Sequence, residues 1–308
     1  MNKTASANKP SSRPATVKAF LEWAAGRLKS FNVPDAQAEA EYLLSHGLKL
    51  KRHELFLNGL RPLAKDEEKT LREFIRRRTR REPSQYITGT AHFRGLELKV
   101  TRAVLIPRPE TELIVDEALR AASSAPLAGK GELIVLDLCT GSGCIAISMC
   151  VEMPAAVVFA TDISWDALSI ASENARRLKV EGRIVFMHGS LFRALGGFKL
   201  KGAVDMILTN PPYVPEAELF GLEPEVKDHE PRRALSADMD GLTYIREIIS
   251  VAPDYLGPGG RLIMEIGWGQ DRAVMDMFEK DGRYMDIRVI KDLSGVERIF
   301  SAGIKRKR

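Results

Sequence analysis

The sequence predicts an α/β protein: a doubly wound, seven-stranded sheet with an antiparallel edge strand, preceded by a small helical domain and a hairpin connector. Three observations carry that expectation. Apolar runs of strand length alternate with helix-period segments from Leu133 onward, the pattern of strands joined by crossover helices. A small-residue turn, Cys139-Thr140-Gly141-Ser142-Gly143, links the first run to a helical pattern, as in the first β-turn-α unit of such a sheet. Two closing runs, 285–290 and 296–301, flank the short stretch from Asp292 to Gly295, which fits an antiparallel edge.

Residues 1–15 are rich in Ser, Pro and Lys without periodicity and are expected to be a disordered tail. Residues 16–83 form an N-terminal helical domain: Phe20, Leu21, Ala24, Leu28, Ala40, Leu43 and Leu44 recur at helix period, as in a bundle of short helices suited to substrate recognition. Residues 84–106 carry β-rich runs broken at Gly89 and Gly95 and read as the hairpin connector. The main domain spans 107–302, with strands expected at 133–138, 157–162, 183–188, 204–209 and 261–266 and in the two closing runs. Pro258-Gly259-Gly260 reads as the turn before the fifth. Residues 214–240 are polar, contain Pro and have weak periodicity, as a loop over a binding site would. Residues 303–308 close the chain as a basic tail.

At 44% hydrophobic residues the chain can bury ordinary cores in two domains. No run approaches the ~18 apolar residues of a membrane span, and the start lacks an apolar signal core, so a cytoplasmic protein that does not bind membrane is expected. The three cysteines, Cys139, Cys144 and Cys150, fall in one segment, an arrangement unlike a disulfide framework. No CxxC pair or nearby His completes a zinc site, and no metal is expected. The net charge of +5 is concentrated at Arg72, Arg76, Arg77, Arg78, Arg80 and Arg81 and at Lys305-Arg306-Lys307-Arg308. The arginine cluster reads as a solvated helix face or as a contact for an acidic partner.

Residues at the C-terminal ends of such strands line a common crevice, so Asp137, Asp162 and Asn210 are expected to converge on one ligand. Gly141 and Gly143 let a ligand approach the backbone and leave helix N-terminal N–H groups free. Cys139 occupies the first position of the dinucleotide G-x-G-x-x-G pattern and no third Gly follows, which weakens a dinucleotide reading. Asp162, ending the second strand, suits ribose hydroxyls, while Ser164 caps the following helix. Leu191 or Ser190, after the third strand, either edges an adenine or forms a plain turn.

The most informative stretch is Asn210-Pro211-Pro212-Tyr213, directly after the run Val204 to Thr209. Such a turn presents the Asn210 side-chain oxygen and the Pro211 carbonyl as acceptors for the two N–H bonds of an NH2 group, and Tyr213 can cover a planar group between them. An amide nitrogen is a poor nucleophile because its lone pair is delocalised. Two acceptors on its hydrogens favour the pyramidal, charge-bearing nitrogen of an alkylation transition state. The alternative is an ordinary strand-to-loop turn stiffened by proline.

Together these residues resemble the class I S-adenosylmethionine-dependent methyltransferases. Further segments narrow the likeness: Glu82-Pro83-Ser84-Gln85-Tyr86-Ile87-Thr88-Gly89, Phe93, Leu105-Ile106-Pro107-Arg108-Pro109-Glu110-Thr111-Glu112, Glu230-Pro231, Ala234-Leu235, Asp240-Gly241-Leu242 and Glu265-Ile266-Gly267 with Gln270. Over roughly residues 16 to 302 the chain resembles the peptide chain release factor N5-glutamine methyltransferases. Cys139 stands where a Gly is common, and Ser236-Ala237-Asp238 replaces a more Gly-rich stretch. The resemblance implies a methyltransferase sheet and S-adenosylmethionine as methyl donor, with S-adenosylhomocysteine as product. Asp137, Cys139, Thr140, Gly141, Ser142, Gly143, Asp162, Leu191 and Asn210 would face the cofactor. It implies catalysis by Asn210, Pro211 and Tyr213 on the glutamine of a Gly-Gly-Gln loop, with Pro212 in the same substrate turn. Arg108 and Glu112 would shape the entrance, or else belong to a Pro-stiffened linker. The partner implied is a release factor, without direct nucleic-acid binding.

Three rivals remain at this level. Relatives that methylate a large-subunit ribosomal protein share the Asn-Pro-Pro-Tyr turn but carry Pro-Arg-Ser where this chain has Pro107 to Glu112. An adenine-N6 nucleic-acid methyltransferase would use the same acceptors but would need base flipping and a target-recognition region. A binding module that has lost catalysis conflicts with the intact 137–143 turn.

Overall fold

The computed structural model describes residues 16–124 and 127–305. The segment 1–15, expected to be disordered, and the tail residues 306–308 lie outside them. The chain divides into two compact units, one ending at Thr88 and one beginning at Gly89.

The first unit is helical: α1 Val17–Ser30, α2 Ala36–Leu48, α3 Arg52–Leu57, α4 Lys65–Arg78 and α5 Ser84–Thr88. Thr16 caps α1 by accepting a hydrogen bond from the Ala19 N–H, as the first turn of a helix requires. The apolar positions spaced at helix period converge on one core that includes Phe20, Leu28, Leu43, Leu44, Leu71 and Ile75. The arginine cluster is largely paired within the unit: Arg72 with Glu68, Arg76 with Glu73, Arg77 with Glu82 and Arg78 with Glu39.

The second unit opens with a hairpin, β1 Thr90–Phe93 and β2 Leu96–Lys99, paired antiparallel. Arg94 and Gly95 both take positive φ, 49° and 74°, the two-residue turn whose twist matches that of its strands. There follow α6 Glu112–Ala122, β3 Leu133–Leu138, α7 Cys144–Glu152, β4 Ala156–Asp162, α8 Trp165–Arg177, β5 Ile184–His188 and β6 Val204–Thr209. The chain ends with α9 Pro224–Lys227, α10 Thr243–Tyr255, β7 Leu256–Glu265, α11 Asp271–Asp281, β8 Tyr284–Lys291 and β9 Glu297–Ile304. The seven strands β3 to β9 form one sheet in the order β5-β4-β3-β6-β7-β9-β8.

Strands β3 to β7 are parallel, and β9 runs antiparallel to both β7 and β8. The reversed strand therefore sits one place in from the edge, because β9 rather than β8 pairs with β7. Successive strand residues point to opposite faces, so Val135 and Ile263 pack with α6 and α7 in one core, while Leu136 and Leu262 pack with α10 and α11 in another. Pro258-Gly259-Gly260, expected as a turn, instead lies within β7. Its partners jump from Leu256 opposite Val204 to Arg261 opposite Met206, a bulge that absorbs the extra residues. A Cβ on Gly257 would stand 2.9 Å from the Gly202 carbonyl oxygen, so close backbone packing explains the glycine.

The strand order reverses between β3 and β6. Leu138 lies opposite Thr209 there, and the Thr209 hydroxyl donates to the Leu138 carbonyl at 2.9 Å. The residues that follow, Cys139 and Asn210, thus start together at the topological switch point, where ligands of open α/β sheets bind.

Candidate active site

A cleft with about 720 Å³ of empty space, partly open to solvent, lies at these strand ends. Of the site residues read from sequence, Cys139, Gly141, Asp162, Ser190, Leu191, Asn210 and Pro212 line it. Its walls also include Val104, Leu105 and Tyr244, to which the sequence reading gave no site role, and Pro231, Arg233 and Ala234. Pro231 to Ala234 come from the 214–240 stretch, so part of that loop does cover the site.

The small-residue turn is held by left-handed backbone at Cys139 (φ 61°), Gly141 (φ 56°) and Gly143 (φ 83°). The two glycines serve different ends. A Cβ on Gly141 would meet only the Cys139 carbonyl oxygen, at 4.0 Å, whereas one on Gly143 would stand 3.1 Å from the Ala171 Cβ. Gly141 therefore leaves open space beside the cleft, and Gly143 lets α7 and α8 approach.

Asp137 is fully buried behind the turn. Its Oδ2 accepts from the Thr140 hydroxyl at 2.6 Å and from the Ala146 N–H at 3.2 Å, while Oδ1 has no partner among the described residues. Burial, reinforced by the Asp162 charge, pushes its carboxyl up to about 7. Thr140 and Ser142 are buried as well. Asp137, Thr140, Ser142 and Gly143 thus shape the turn from behind and do not line the cleft. Asn174 of α8 was missed by the sequence reading. Its Nδ2 donates to the Ser142 and Lys99 carbonyls, and its Oδ1 accepts from the Lys99 N–H, tying the hairpin to the glycine turn. A single Asn in a helix carries no motif that would have revealed this.

Asp162 ends β4 with Oδ2 accepting from the Gly141 N–H at 2.9 Å and Oδ1 from the Ser164 N–H at 2.8 Å. Two carboxylate oxygens offer about four acceptor positions, so capacity for ligand hydroxyls remains. Burial raises its proton affinity against the opposing pull of those backbone bonds.

On the other side, Asn210 Nδ2 donates to the Thr111 hydroxyl oxygen at 3.0 Å. Thr111 donates its own proton to Glu265 Oε2 at 2.6 Å, and the Tyr213 hydroxyl donates to Glu265 Oε1 at 3.0 Å. Glu265, at the end of β7, is 1% exposed. Burial holds its carboxyl above the ordinary range, against the opposing pull of these two hydroxyls. Tyr213, pushed well above the ordinary phenol range by burial and by Glu265, does not line the cleft, nor does Pro211.

Arg108 pairs with buried Glu230 at 2.7 Å, bracing the start of the domain against the covering loop. Glu112 accepts from the Arg94 N–H at 2.7 Å, at the hairpin turn. Neither lines the cleft. Among the described residues no cluster of His, Cys, Asp or Glu is arranged to hold a metal ion, and no helix is long and apolar enough to cross a membrane.

Two family profiles match the chain, one described as a PrmC N-terminal domain over residues 19–89 and one as a methyltransferase small domain over residues 121–220. A release factor glutamine methyltransferase of Geobacter sulfurreducens is 42% identical over 289 residues, covering 94% of this chain and 97% of that protein. Namesakes from Gloeobacter violaceus and Caulobacter vibrioides are 39% and 37% identical, covering 90% and 94% of this chain and 94% and 97% of their own lengths. With identity of this level running through both units, the chain belongs to the release factor glutamine methyltransferase family.

Proposed function

We propose that this chain transfers the sulfonium methyl of S-adenosylmethionine to the side-chain amide nitrogen of the glutamine in a release factor Gly-Gly-Gln loop. The observation that carries the reading is Asn210, which lines the same cleft as Asp162 and whose Oδ1 has no hydrogen-bond partner among the described residues.

The residues present fit the cofactor. Asp162 retains acceptor positions for ribose hydroxyls, Val104, Leu105 and Leu191 offer apolar wall for a planar base, and Gly141 leaves room for close approach to the backbone. When bound, S-adenosylmethionine supplies a methyl group on a positively charged sulfur. Asn210 Oδ1 and the Pro211 carbonyl accept the two hydrogens of the glutamine amide and orient its nitrogen. These acceptors would stabilise the positive charge that the amide nitrogen takes on as it receives the methyl group from the sulfonium, which would leave as a neutral thioether. The methylated nitrogen is then a strong acid and releases its proton to water, so no dedicated base is required. Pro212 stiffens the turn, and Arg108 shapes the entrance through its pair with Glu230. The helical unit, residues 16–83, would recognise the release factor, a substrate met in the cytoplasm.

The test is methyl transfer from labelled S-adenosylmethionine to purified release factor, large-subunit ribosomal protein and DNA in parallel, with the Gly-Gly-Gln glutamine replaced as a control. Label on release factor that disappears in the control is the expected result. Label confined to the ribosomal protein or to DNA would overturn the reading.

A further inference from the structure

We propose that Thr111 and Glu265 are positioning residues which fix the orientation of the Asn210 amide, so that its oxygen, not its nitrogen, faces the substrate. The inference rests on the proposed reaction and assigns the residues that make its acceptor reliable.

An Asn side chain has an oxygen end and a nitrogen end of nearly the same shape, and only its surroundings decide which end points where. In the other orientation Asn210 would offer two N–H donors to the substrate, and an amide NH2 cannot accept in return. The acceptor function therefore depends on a group that demands the nitrogen end. Thr111 supplies it. A hydroxyl has one hydrogen, and that of Thr111 goes to Glu265 Oε2 at 2.6 Å. The Thr111 oxygen is left as an acceptor, which Asn210 Nδ2 fills at 3.0 Å.

Glu265 sets the direction of the chain of bonds. Thr111 and Tyr213 both donate their hydroxyl protons to Glu265, the direction an ionised carboxylate, which only accepts, imposes on them. Thr111 is 2% exposed and Glu265 1% exposed, so bulk water does not compete for these bonds, and a low-dielectric setting strengthens them. The relay joins three separate parts of the unit: the turn before α6, the end of β6 and the end of β7. It also explains a buried carboxylate for which the methyl transfer itself has no use. Buried charge without a structural or catalytic partner is costly, and here the partners are two hydroxyls, one of which holds the amide that meets the substrate.

The experiment compares wild type, Thr111→Val, Thr111→Ser and Asn210→Ala, together with the Thr111→Val/Asn210→Ala double variant, in steady-state methylation of release factor. Thr111→Val keeps the shape and removes the hydroxyl. It should lower kcat by about 10- to 100-fold, with KM for release factor within about threefold, the split of an interaction felt mainly in the transition state. Calorimetric affinity for S-adenosylmethionine and the melting temperature should stay near wild type. Thr111→Ser, which keeps the hydroxyl, should recover most of the lost turnover, a rescue that a purely packing role for Thr111 would not give. The double variant should be no slower than Asn210→Ala, because Thr111 has nothing left to orient. Should Thr111→Val melt early, Thr111→Ala replaces it, since a smaller side chain introduces no clash. Full turnover in the hydroxyl-free variant, or losses that multiply in the double variant, would overturn the inference. Absence of release factor methylation by wild type would instead remove the reaction on which it rests.

Discussion

Asp162 and Glu265 are both carboxylates at the ends of parallel strands, yet they collect their partners over very different stretches of chain. Asp162 holds the backbone N–H groups of Gly141 and Ser164, 21 and 2 residues away. Glu265 holds the hydroxyls of Thr111 and Tyr213, 154 and 52 residues away. The first shapes a cradle of main chain, and the second aims a side chain. A cradle tolerates neighbouring side-chain change because its donors are backbone groups, whereas an aimed amide depends on every member of its relay. The two sides should therefore respond differently to mutation, one in binding and the other in turnover.

The largest expected effect lies on the turnover side. Asn210→Ala removes one of two acceptors and should lower kcat for release factor methylation by about 100-fold or more, the scale of losing one transition-state partner. Calorimetric affinity for S-adenosylmethionine should change little. A variant that binds cofactor poorly but turns over normally at saturation would erase the division between the two sides.

Asp162→Asn is the counterpart and should act the other way. It keeps the size of the side chain but gives up the charge that accepts from Gly141 and would accept from a ribose. The dissociation constant for S-adenosylmethionine should rise by about 10- to 100-fold, matching the loss of hydrogen bonds to a charged group. Turnover at saturating cofactor should fall far less than in Asn210→Ala. Equal losses of kcat in the two variants would show that the sides are not separable.

The same contrast explains how much of the site was legible in the sequence. The glycine turn and Asp162 interact within about 20 residues, a span over which a fingerprint has a fixed spacing. The Asn-Pro-Pro-Tyr turn was legible because its chemistry resides in four consecutive residues. Thr111 and Glu265 stood in the sequence only as parts of motifs, since nothing local says that one hydroxyl will meet that carboxylate. Asn174 was invisible for the same reason. Among the elements, β7 was the clearest misreading. Pro258-Gly259-Gly260 has turn composition, but five residues of β7, Leu256 to Gly260, run where β6 has only Val204 and Asp205 before the Met206–Arg261 pair, and the strand bulges instead of stopping.

A third carboxylate, Asp137, sharpens the comparison because it is buried behind the cradle with one oxygen that has no partner among the described residues. Burial raises its carboxyl to about 7, so the folded protein holds that proton more tightly than the unfolded chain does. Its contribution to stability is then fully present below the ordinary carboxylate range and is lost as pH rises through about 7. Between pH 6 and pH 8, the cofactor-free wild type should lose about 1 kcal/mol more unfolding free energy than Asp137→Asn, which has no charge to bury. Parallel stability curves from denaturant titrations at those two pH values would show that Asp137 does not titrate in this window.

The smallest expected effect concerns Cys139, the first residue of the small-residue turn. Its φ of 61° puts a Cβ close to the following carbonyl oxygen, at a cost of about 1–2 kcal/mol that glycine avoids. Replacing Cys139 by Gly also removes a half-buried thiol and loosens the unfolded chain, so comparison with wild type mixes three effects. Cys139→Ala removes the same sulfur but keeps the Cβ, and the Gly and Ala variants compared with each other isolate the backbone strain. The Gly variant should be the more stable by up to about 1 kcal/mol, the part of the relief that survives the greater entropy of unfolded glycine. Equal unfolding midpoints for the two, or a more stable Ala variant, would mean that the turn relaxes around a side chain at this position. The side chain at this position would then matter through ligand contact and not through backbone strain, because Cys139 lines the cleft.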